Sequence, residues 1–356
     1  MSDTHTNSTL YQWYVRLIGL AACLAIVVVV LGAWVRLTDA GLGCPDWPGC
    51  YGSLIVPDDS DPDAVARANA EFDRPLESDK GWHEMIHRYA ASTLGLSILI
   101  AAFLAWRNRR DPDQPVAMPL ALLGVVCFQG LLGMWTVTLL LKPLIVMGHL
   151  LGGLTTLGMA TWLLLDHLRR ADRRGDGRRA AYVPAIIGLG ILVCQIALGG
   201  WTSSNYAALA CPDLPTCNGG WWPPDANFSE GFVMWRGLGV DYEFGVLDAP
   251  SRVAIHYTHR LGALVAFLFL GILTLMLARA ADQAPAVRQA GVLVLIALVA
   301  QVSIGIGVVW FGLPLWLATS HNAVAALLLL SMINLNHATA TYPGAARSVT
   351  ASRGAT

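Results

Sequence analysis

Charged residues are scarce in this chain of 356 residues. Asp, Glu, Lys and Arg make up 13% of it, whereas soluble domains carry roughly 25%. No charged residue occurs between positions 289 and 346. This composition excludes an ordinary soluble domain and is typical of a protein that crosses a membrane several times. The net charge of −1 says little about partners, and we expect membrane lipid around the chain and no nucleic acid.

Long runs without charge give the number of membrane spans. Each run is about long enough to cross a hydrocarbon core as an α-helix, which takes roughly 20 residues. We therefore expect an all-α membrane protein with eight transmembrane helices. The predicted spans lie within 17–35, 89–106, 114–141, 143–165, 180–212, 261–278 and the two parts of 289–346 that a turn at 311–314 separates.

Clusters of arginine predict the orientation in the membrane. They join predicted helices 2 and 3, 4 and 5, and 6 and 7, and positively charged loops stay in the cytoplasm. Both termini are then cytoplasmic in the cell inner membrane, and the long loops 37–82 and 202–251 lie outside. Without a small-residue cleavage site after the first span, we expect no removable signal peptide. The arginines are Arg107, Arg109, Arg110, Arg169, Arg170, Arg173, Arg174, Arg178, Arg179, Arg279 and Arg288.

The chain contains an internal repeat. A shift of 172 residues superimposes His87 and His149 on His259 and His321, and Gln129 on Gln301. A related shift of 167 residues superimposes the Gly-Ala-Trp motif at 32–34 on Gly-Gly-Trp at 199–201. We therefore expect two tandem, pseudo-symmetric four-helix bundles, 1–170 and 171–356, related by an axis along the membrane normal.

Each half also carries a C-P-D-x-P-x-C motif in a predicted external loop. The motifs begin at Cys44 and Cys211 and end at Cys50 and Cys217. Because an oxidising exterior permits disulfides, each proline-constrained loop is predicted to close one. The two pairs are either structural cross-links or participants in thiol–disulfide chemistry. Zinc binding is not expected, since neither motif has C-x₂-C spacing.

The four repeated histidines are predicted to lie at similar depth near the outer face. A histidine inside a membrane segment usually marks a cofactor, an ion path or a proton path. Two imidazoles on facing helices at one height are what a haem iron with two histidine ligands needs, and each half supplies such a pair once. The alternative is that they bridge helices by hydrogen bonds. Three further histidines, His5, His167 and His337, are expected to be solvated.

The residue after the first histidine of each pair is the same in the two halves, but the residue three positions before that histidine differs. Arg88 and Arg260 each follow a histidine, either as interfacial anchors or as partners of haem propionates. Glu84 precedes His87, whereas His256 stands at the matching place in the second half. A carboxylate one turn from an iron ligand is a candidate proton donor, base or substrate-orienting group. Its other role is to complement the helix dipole.

With E-M-I-H-R at 84–88, the C-P-D-W-P-G-C loop, the duplicated H-R and the later histidines, the chain resembles the haem A synthase family. The resemblance extends from the first span to the eighth. It implies an eight-helix enzyme that oxidises the methyl group at C8 of haem O to a formyl group, giving haem A for terminal oxidases. It also implies a haem b cofactor in the second half. The implied ligands are His259 and His321 for haem b, and His87 and His149 for the substrate haem.

The same resemblance implies roles for three further residues. Glu84 matches the catalytic carboxylate of the family, and Cys44 and Cys50 match its functional cysteine pair. The chain departs from that pattern by carrying Cys211 and Cys217 as well, so the first pair need not be the only functional one.

Side chains alone cannot oxidise a methyl group, so a cofactor has to supply the oxidising chemistry. An iron with two histidine ligands suits electron transfer. We hypothesise that the second half relays electrons while the first holds the haem whose methyl is oxidised twice, through an alcohol to a hydrated aldehyde. Haem O synthase is a candidate partner, and an unidentified electron donor is required. The alternative is a di-haem b electron-transfer protein, which would need neither Glu84 nor the cysteine loops.

Overall fold

The structure, a computed structural model, describes residues 9–169, 182–280 and 283–341. The described residues form ten helices and no β-strand. The helices are α1 (Thr9–Leu37), α2 (Pro62–Glu71), α3 (Ser78–Arg107), α4 (Ala117–Thr138), α5 (Pro143–Leu168), α6 (Tyr182–Ser204), α7 (Phe228–Gly231), α8 (Ala249–Arg279), α9 (Pro285–Trp310) and α10 (Leu315–Thr341).

Eight of these helices are long and apolar enough to cross a membrane, which confirms the predicted number and the all-α class. Helices α3 and α8 begin about three turns before the predicted spans. The predicted spans begin directly after Arg88 and Arg260. In the structure, loop carbonyls bind both guanidinium groups, and the helices continue through these two residues. His87 and His259 consequently lie more than two turns into their helices.

Proline and capping residues start several helices where the sequence indicates. Pro143 stands in the first turn of α5, and the turn before it contains two leucines, Leu140 and Leu141, with positive φ. Proline suits this position because its missing N–H would have no partner there. At the start of α8, the Asp248 side chain accepts a hydrogen bond from Ser251 N–H, which satisfies an otherwise free donor.

The eight long helices pack as two groups of four with the same order around each group. In the first group, α1 and α4 each pack against both α3 and α5. In the second, α6 and α9 each pack against both α8 and α10. The groups meet through α1 with α10, α5 with α6, and α5 with α10. The predicted division at residue 170 and most of the arginines between α5 and α6 lie outside the described residues, so the two-domain division stays a prediction.

Two long loops, 38–77 and 205–248, lie together at one end of the bundle, here called the disulfide face. They are joined by Arg74 of the first loop, which forms ion pairs with Asp241 (2.6 Å) and Glu243 of the second. The second loop also reaches the turn between α4 and α5. There the buried Lys142 donates to the Gly237 carbonyl and lies 3.6 Å from the centre of the Trp235 ring. The second loop therefore covers part of the first group of helices.

At the opposite end of the bundle, His337 of α10 is held by α5. Its side chain lies 2.9 Å from the Asp166 carboxylate, and Arg169 donates to its Nδ1 at 3.1 Å. His337 is 1% exposed, so the expectation of a solvated histidine is wrong. Burial is possible because both ring nitrogens have polar partners. His167 contacts the Tyr11 hydroxyl, and His5 lies outside the described residues.

The disulfide loop approaches the start of α3 so closely that only glycine fits at position 43. A Cβ there would lie 2.5 Å from the main-chain carbon of Lys80 and 2.6 Å from its oxygen. Gly43→Ala should therefore push the loop away from α3 and lower the free energy of unfolding by about 1–3 kcal/mol. Thermal unfolding in detergent measures this. Gly95→Ala, with no atom within 4 Å of the added Cβ, is the control, and equal stability of the two variants would contradict the prediction.

Candidate functional site

His87 and His149 face each other across the first group of helices. They come from α3 and α5, the helices on opposite sides of the group, and their ring centres lie 6.4 Å apart with an angle of 83° between the planes. A metal bound to one nitrogen of each ring at about 2 Å would place the ring centres about 6 Å apart. The spacing therefore fits a metal ion held between two imidazoles.

His259 and His321 occupy the matching helices of the second group. They come from α8 and α10, and the two rings are close enough for a charge on one to affect the other. The structure thus brings the four predicted histidines together as two pairs, one in each group of helices.

Each of the four rings lies against a glycine of a neighbouring helix. A Cβ on that glycine would lie 2.9–3.4 Å from the histidine Cε1, so each ring fits closely against its glycine. Two of the four glycines belong to the repeated tryptophan motifs; the other two were not predicted, although they obey the 172-residue shift of the histidines. The contacts are Gly32 with His87, Gly133 with His149, Gly199 with His259, and Gly305 with His321.

Few hydrogen bonds are available to these rings. The Nδ1 atoms of His87, His149 and His321 are buried without a hydrogen-bond partner in the described part of the chain. In His259, Nδ1 lies 3.0 Å from the Gln195 amide nitrogen. Buried polar groups are normally satisfied, and each exception requires an explanation. An imidazole kept in an apolar interior with an unpartnered ring nitrogen is a candidate ligand for a metal or cofactor.

The repeated glutamines lie next to the histidine pairs but differ in their contacts. The Gln301 amide nitrogen is 3.3 Å from Nε2 of His321. The amide of Gln129 is buried without a partner and packs against Gly152, where no side chain could be added without a clash. The second half has a valine at the position matching Gly152, which closes that space.

Both predicted disulfides are present. Cys44–Cys50 and Cys211–Cys217 each join Cα atoms 4.7 Å apart. All four cysteines are buried, with at most 1% of each residue exposed. An attacking thiolate needs access to a sulfur atom, so the folded protein shields both disulfides from exchange.

Local sequence determines the shape of each disulfide loop. A tight turn follows the second cysteine, and both of its central residues have positive φ, as in Asn218-Gly219. The Asp213 side chain accepts hydrogen bonds from Thr216, Asn218 N–H and Gly219 N–H, which lower the pKa of that carboxyl to about 2. Asp46 accepts the corresponding main-chain bonds in the first loop.

Glu84 connects the first disulfide loop to the helix that carries His87. It is 5% exposed; its Oε2 accepts a hydrogen bond from Cys44 N–H at 2.9 Å and its Oε1 is paired with Arg88. Arg88 also donates to the carbonyls of Asp46, Pro48 and Gly49. The structure therefore shows Arg88 holding the disulfide loop, and its predicted roles as an interfacial anchor or a partner of a haem propionate stay predictions.

The second half makes the same connection with different chemistry. Nδ1 of His256 accepts the hydrogen bond from Cys211 N–H at 3.1 Å, and Arg260 donates to the carbonyls of Cys211, Asp213 and Thr216. An acceptor for the cysteine N–H is thus common to both halves. The carboxylate is found only in the first, so it is the feature that distinguishes the two sites chemically.

The fold and the sites define an eight-helix membrane protein with two histidine pairs, each beneath a disulfide loop. The chain belongs to the cytochrome oxidase assembly protein family, whose sequence profile matches residues 15–333. It is similar to the haem A synthase of Shewanella oneidensis, with 43% identity over 326 residues, 90% of this chain and 95% of that protein. The haem A synthase of Novosphingobium aromaticivorans is 26% identical over 88% of this chain and 91% of its own length.

The burial of the disulfides predicts that neither reacts in the folded state. A water-soluble phosphine reductant followed by alkylation should label none of the four cysteines in native protein, and all four after unfolding. Peptide mass mapping measures the labels. Labelling of all four cysteines in the unfolded sample is the control that the reductant and the alkylating reagent are active. Labelling of Cys44 and Cys50 in the native state would show that the loop opens.

Proposed function

We propose that this chain is a haem A synthase, which oxidises the methyl group at C8 of haem O to the formyl group of haem A. The observation that carries the proposal is the spacing of His87 and His149, whose ring centres lie 6.4 Å apart as one iron between them would require; His259 and His321 lie at the matching positions of the second group. The similarity to haem A synthases over most of the chain gives the reaction.

In this proposal His259 and His321 hold a haem b in the second half. When bound, that haem supplies one-electron transfer, since an iron with two histidine ligands has no free position for oxygen. The surrounding residues Gly199 and Gly305 admit the rings between the helices. Gln195 supports His259 from the side away from Nε2.

His87 and His149 hold the haem O substrate in the first half. Glu84 lies one helical turn before His87, where a carboxylate can exchange protons with a substrate whose methyl is oxidised through an alcohol to a hydrated aldehyde. Arg88 and Cys44 N–H each engage one oxygen of Glu84 and so fix its orientation. His256, at the matching place in the second half, offers no anionic group.

We infer that the Cys44–Cys50 disulfide acts by positioning Glu84 and takes no covalent part in the reaction. It keeps Cys44 N–H at 2.9 Å from the carboxylate, and both sulfur atoms are buried. Cys211–Cys217 has the equivalent role toward His256. On this basis, loss of either disulfide would affect the protein by displacing the residue that it positions on the neighbouring helix, Glu84 or His256.

The proposed orientation places the disulfide face outside the cell inner membrane and both termini in the cytoplasm. Its basis is the concentration of arginines at the opposite ends of the helices, which the positive-inside rule assigns to the cytoplasm. Haem O, an apolar molecule with charged propionates, would enter from the bilayer. We propose haem O synthase as the partner that supplies it, and a separate electron donor.

Alanine substitutions should separate the two histidine pairs. His259→Ala or His321→Ala should abolish stable haem b binding because each removes a ligand of the resident iron. His87→Ala or His149→Ala should spare haem b but impair turnover and retention of substrate. Reduced-minus-oxidised spectra and chemical extraction of haem measure this, with His167→Ala as the control. Equal loss of haem b from both pairs would contradict the assignment and favour a di-haem electron-transfer protein.

Two substitutions of Glu84 should distinguish proton transfer from loop support. Glu84→Ala removes both functions, and Glu84→Gln keeps an acceptor for Cys44 N–H while removing the proton-accepting carboxylate. If Glu84 exchanges protons with the substrate, both variants should retain haem b and lose about 10²–10⁴-fold in turnover. The measurement is conversion of haem O to haem A with haem b content in parallel. Near-normal activity of Glu84→Gln would reduce Glu84 to a support for the loop.

A further inference from the structure

The four histidines differ in what supports the ring nitrogen Nδ1. Only His259, among the four in the described residues, has a side-chain partner there: the Gln195 amide nitrogen lies 3.0 Å from Nδ1 and also 3.0 Å from the main-chain oxygen of His259. The amide is therefore held beside the ring from the neighbouring helix α6. Nδ1 of His87, His149 and His321 is buried and has no such partner.

A glycine makes this contact possible. A Cβ at Gly262, one turn after His259 in α8, would lie 2.3 Å from Oε1 of Gln195 and 2.8 Å from Cδ1 of Leu198. Any larger residue at 262 would occupy the place of the amide. Gln195 and Gly262 thus form one unit, in which the glutamine supports the ring and the glycine admits the glutamine.

The first half has neither member of this unit. The 167-residue shift that superimposes Gly32 on Gly199 places Val28 opposite Gln195, and the 172-residue shift of the histidines places Ala90 opposite Gly262. The main-chain carbonyl of Val28 lies near His87, but Nδ1 of His87 makes no hydrogen bond within the described residues. Both halves therefore offer the same iron ligands with different support behind one of them.

The partner of the second ring nitrogen influences how firmly a histidine holds a metal. A hydrogen bond at that nitrogen fixes the orientation of the ring and makes the ligand more basic, and its loss typically lowers metal affinity 10–100-fold. Such support favours retention of a resident cofactor, whereas a substrate that must leave as product is held less firmly without it. We propose that Gln195 is a positioning residue, which holds the ring of His259 so that the second half retains its haem. Val28 and Ala90 stand at the matching positions of the first half, give no such support, and so allow the haem bound there to leave.

The inference rests on the proposed function and deepens it, since it explains why two identical pairs of histidines would retain one haem and release the other. When Nε2 binds iron, Nδ1 carries the proton and needs an acceptor. A glutamine side-chain amide has both a donor and an acceptor, and a 180° rotation of the amide exchanges their positions. Gln195 can therefore accept the Nδ1 proton of His259 when Nε2 binds iron, which an apolar side chain such as that of Val28 cannot do.

Two single substitutions in the second half test the unit from opposite sides. Gln195→Val, the residue of the first half, should weaken retention of haem about 10–100-fold, measured as the rate of haem transfer from purified protein to apomyoglobin. Gly262→Ala should do the same by displacing the amide, although alanine favours the helix more than glycine does. Gly271→Ala, in the same helix with no atom within 4 Å of the added Cβ, is the control. Normal retention in both test variants would overturn the proposal.

The converse exchange should transfer the property to the first half. Val28→Gln combined with Ala90→Gly should raise the haem-to-protein ratio of purified protein and slow release of product. Val28→Gln alone should do so less, because Ala90 occupies the space that the amide needs. An unchanged ratio in a double variant that folds and keeps its haem b would contradict the proposal.

A redox measurement separates support of the ligand from support of the fold. Gln195→Glu places a stronger acceptor at Nδ1, makes the imidazole more basic and should lower the midpoint potential of the haem, whereas Gln195→Val should raise it. If the midpoint potential shifts in the same direction in both variants, the effect is only structural and counts against the proposal. If His259→Ala keeps its haem b, the proposed function fails; if that variant loses haem while Gln195→Val keeps it firmly, only the present inference fails.

Discussion

The close approach of four imidazole rings to four glycines is the contact on which the rest of the arrangement depends. An imidazole in an apolar bundle needs a place where no neighbouring side chain stands. Gly32 and Gly199 supply that place for the histidines of α3 and α8, and Gly133 and Gly305 supply it for those of α5 and α10. Because each glycine lies on a helix adjacent to the ring it faces, the contacts fix helix spacing and ring position together.

The disulfide loops add a second level of support from the disulfide face. In each half an arginine next to the histidine binds loop carbonyls, and the residue one turn earlier accepts the N–H of the first cysteine. Hydrogen bonds therefore tie the loop and its disulfide to the histidine-bearing helix in each half. Within this common scaffold, the two halves differ chemically at positions that include Glu84 against His256, Val28 against Gln195, and Ala90 against Gly262.

Much of the fold could be predicted from the sequence because hydrocarbon imposes simple rules. A span needs an uncharged run of known length, so the eight helices and the turn before Pro143 were predictable. The starts of α3 and α8 were not, since Arg88 and Arg260 resemble span ends until the carbonyls that bind them are seen. His337 was wrongly expected in solvent for the same reason: its partners, Asp166 and Arg169, come from another helix.

By itself the sequence determined the class of protein, the repeated histidines, both disulfides and the position of Glu84, because hydropathy, spacing and short motifs are local properties. Only the tertiary structure decided which helices face each other, that the ring centres of His87 and His149 lie 6.4 Å apart, and that Gln195 reaches His259 through the space left by Gly262. Those contacts join residues far apart in the chain. They exist only after the helices pack, because packing alone brings a glycine of one helix against the side chain of another.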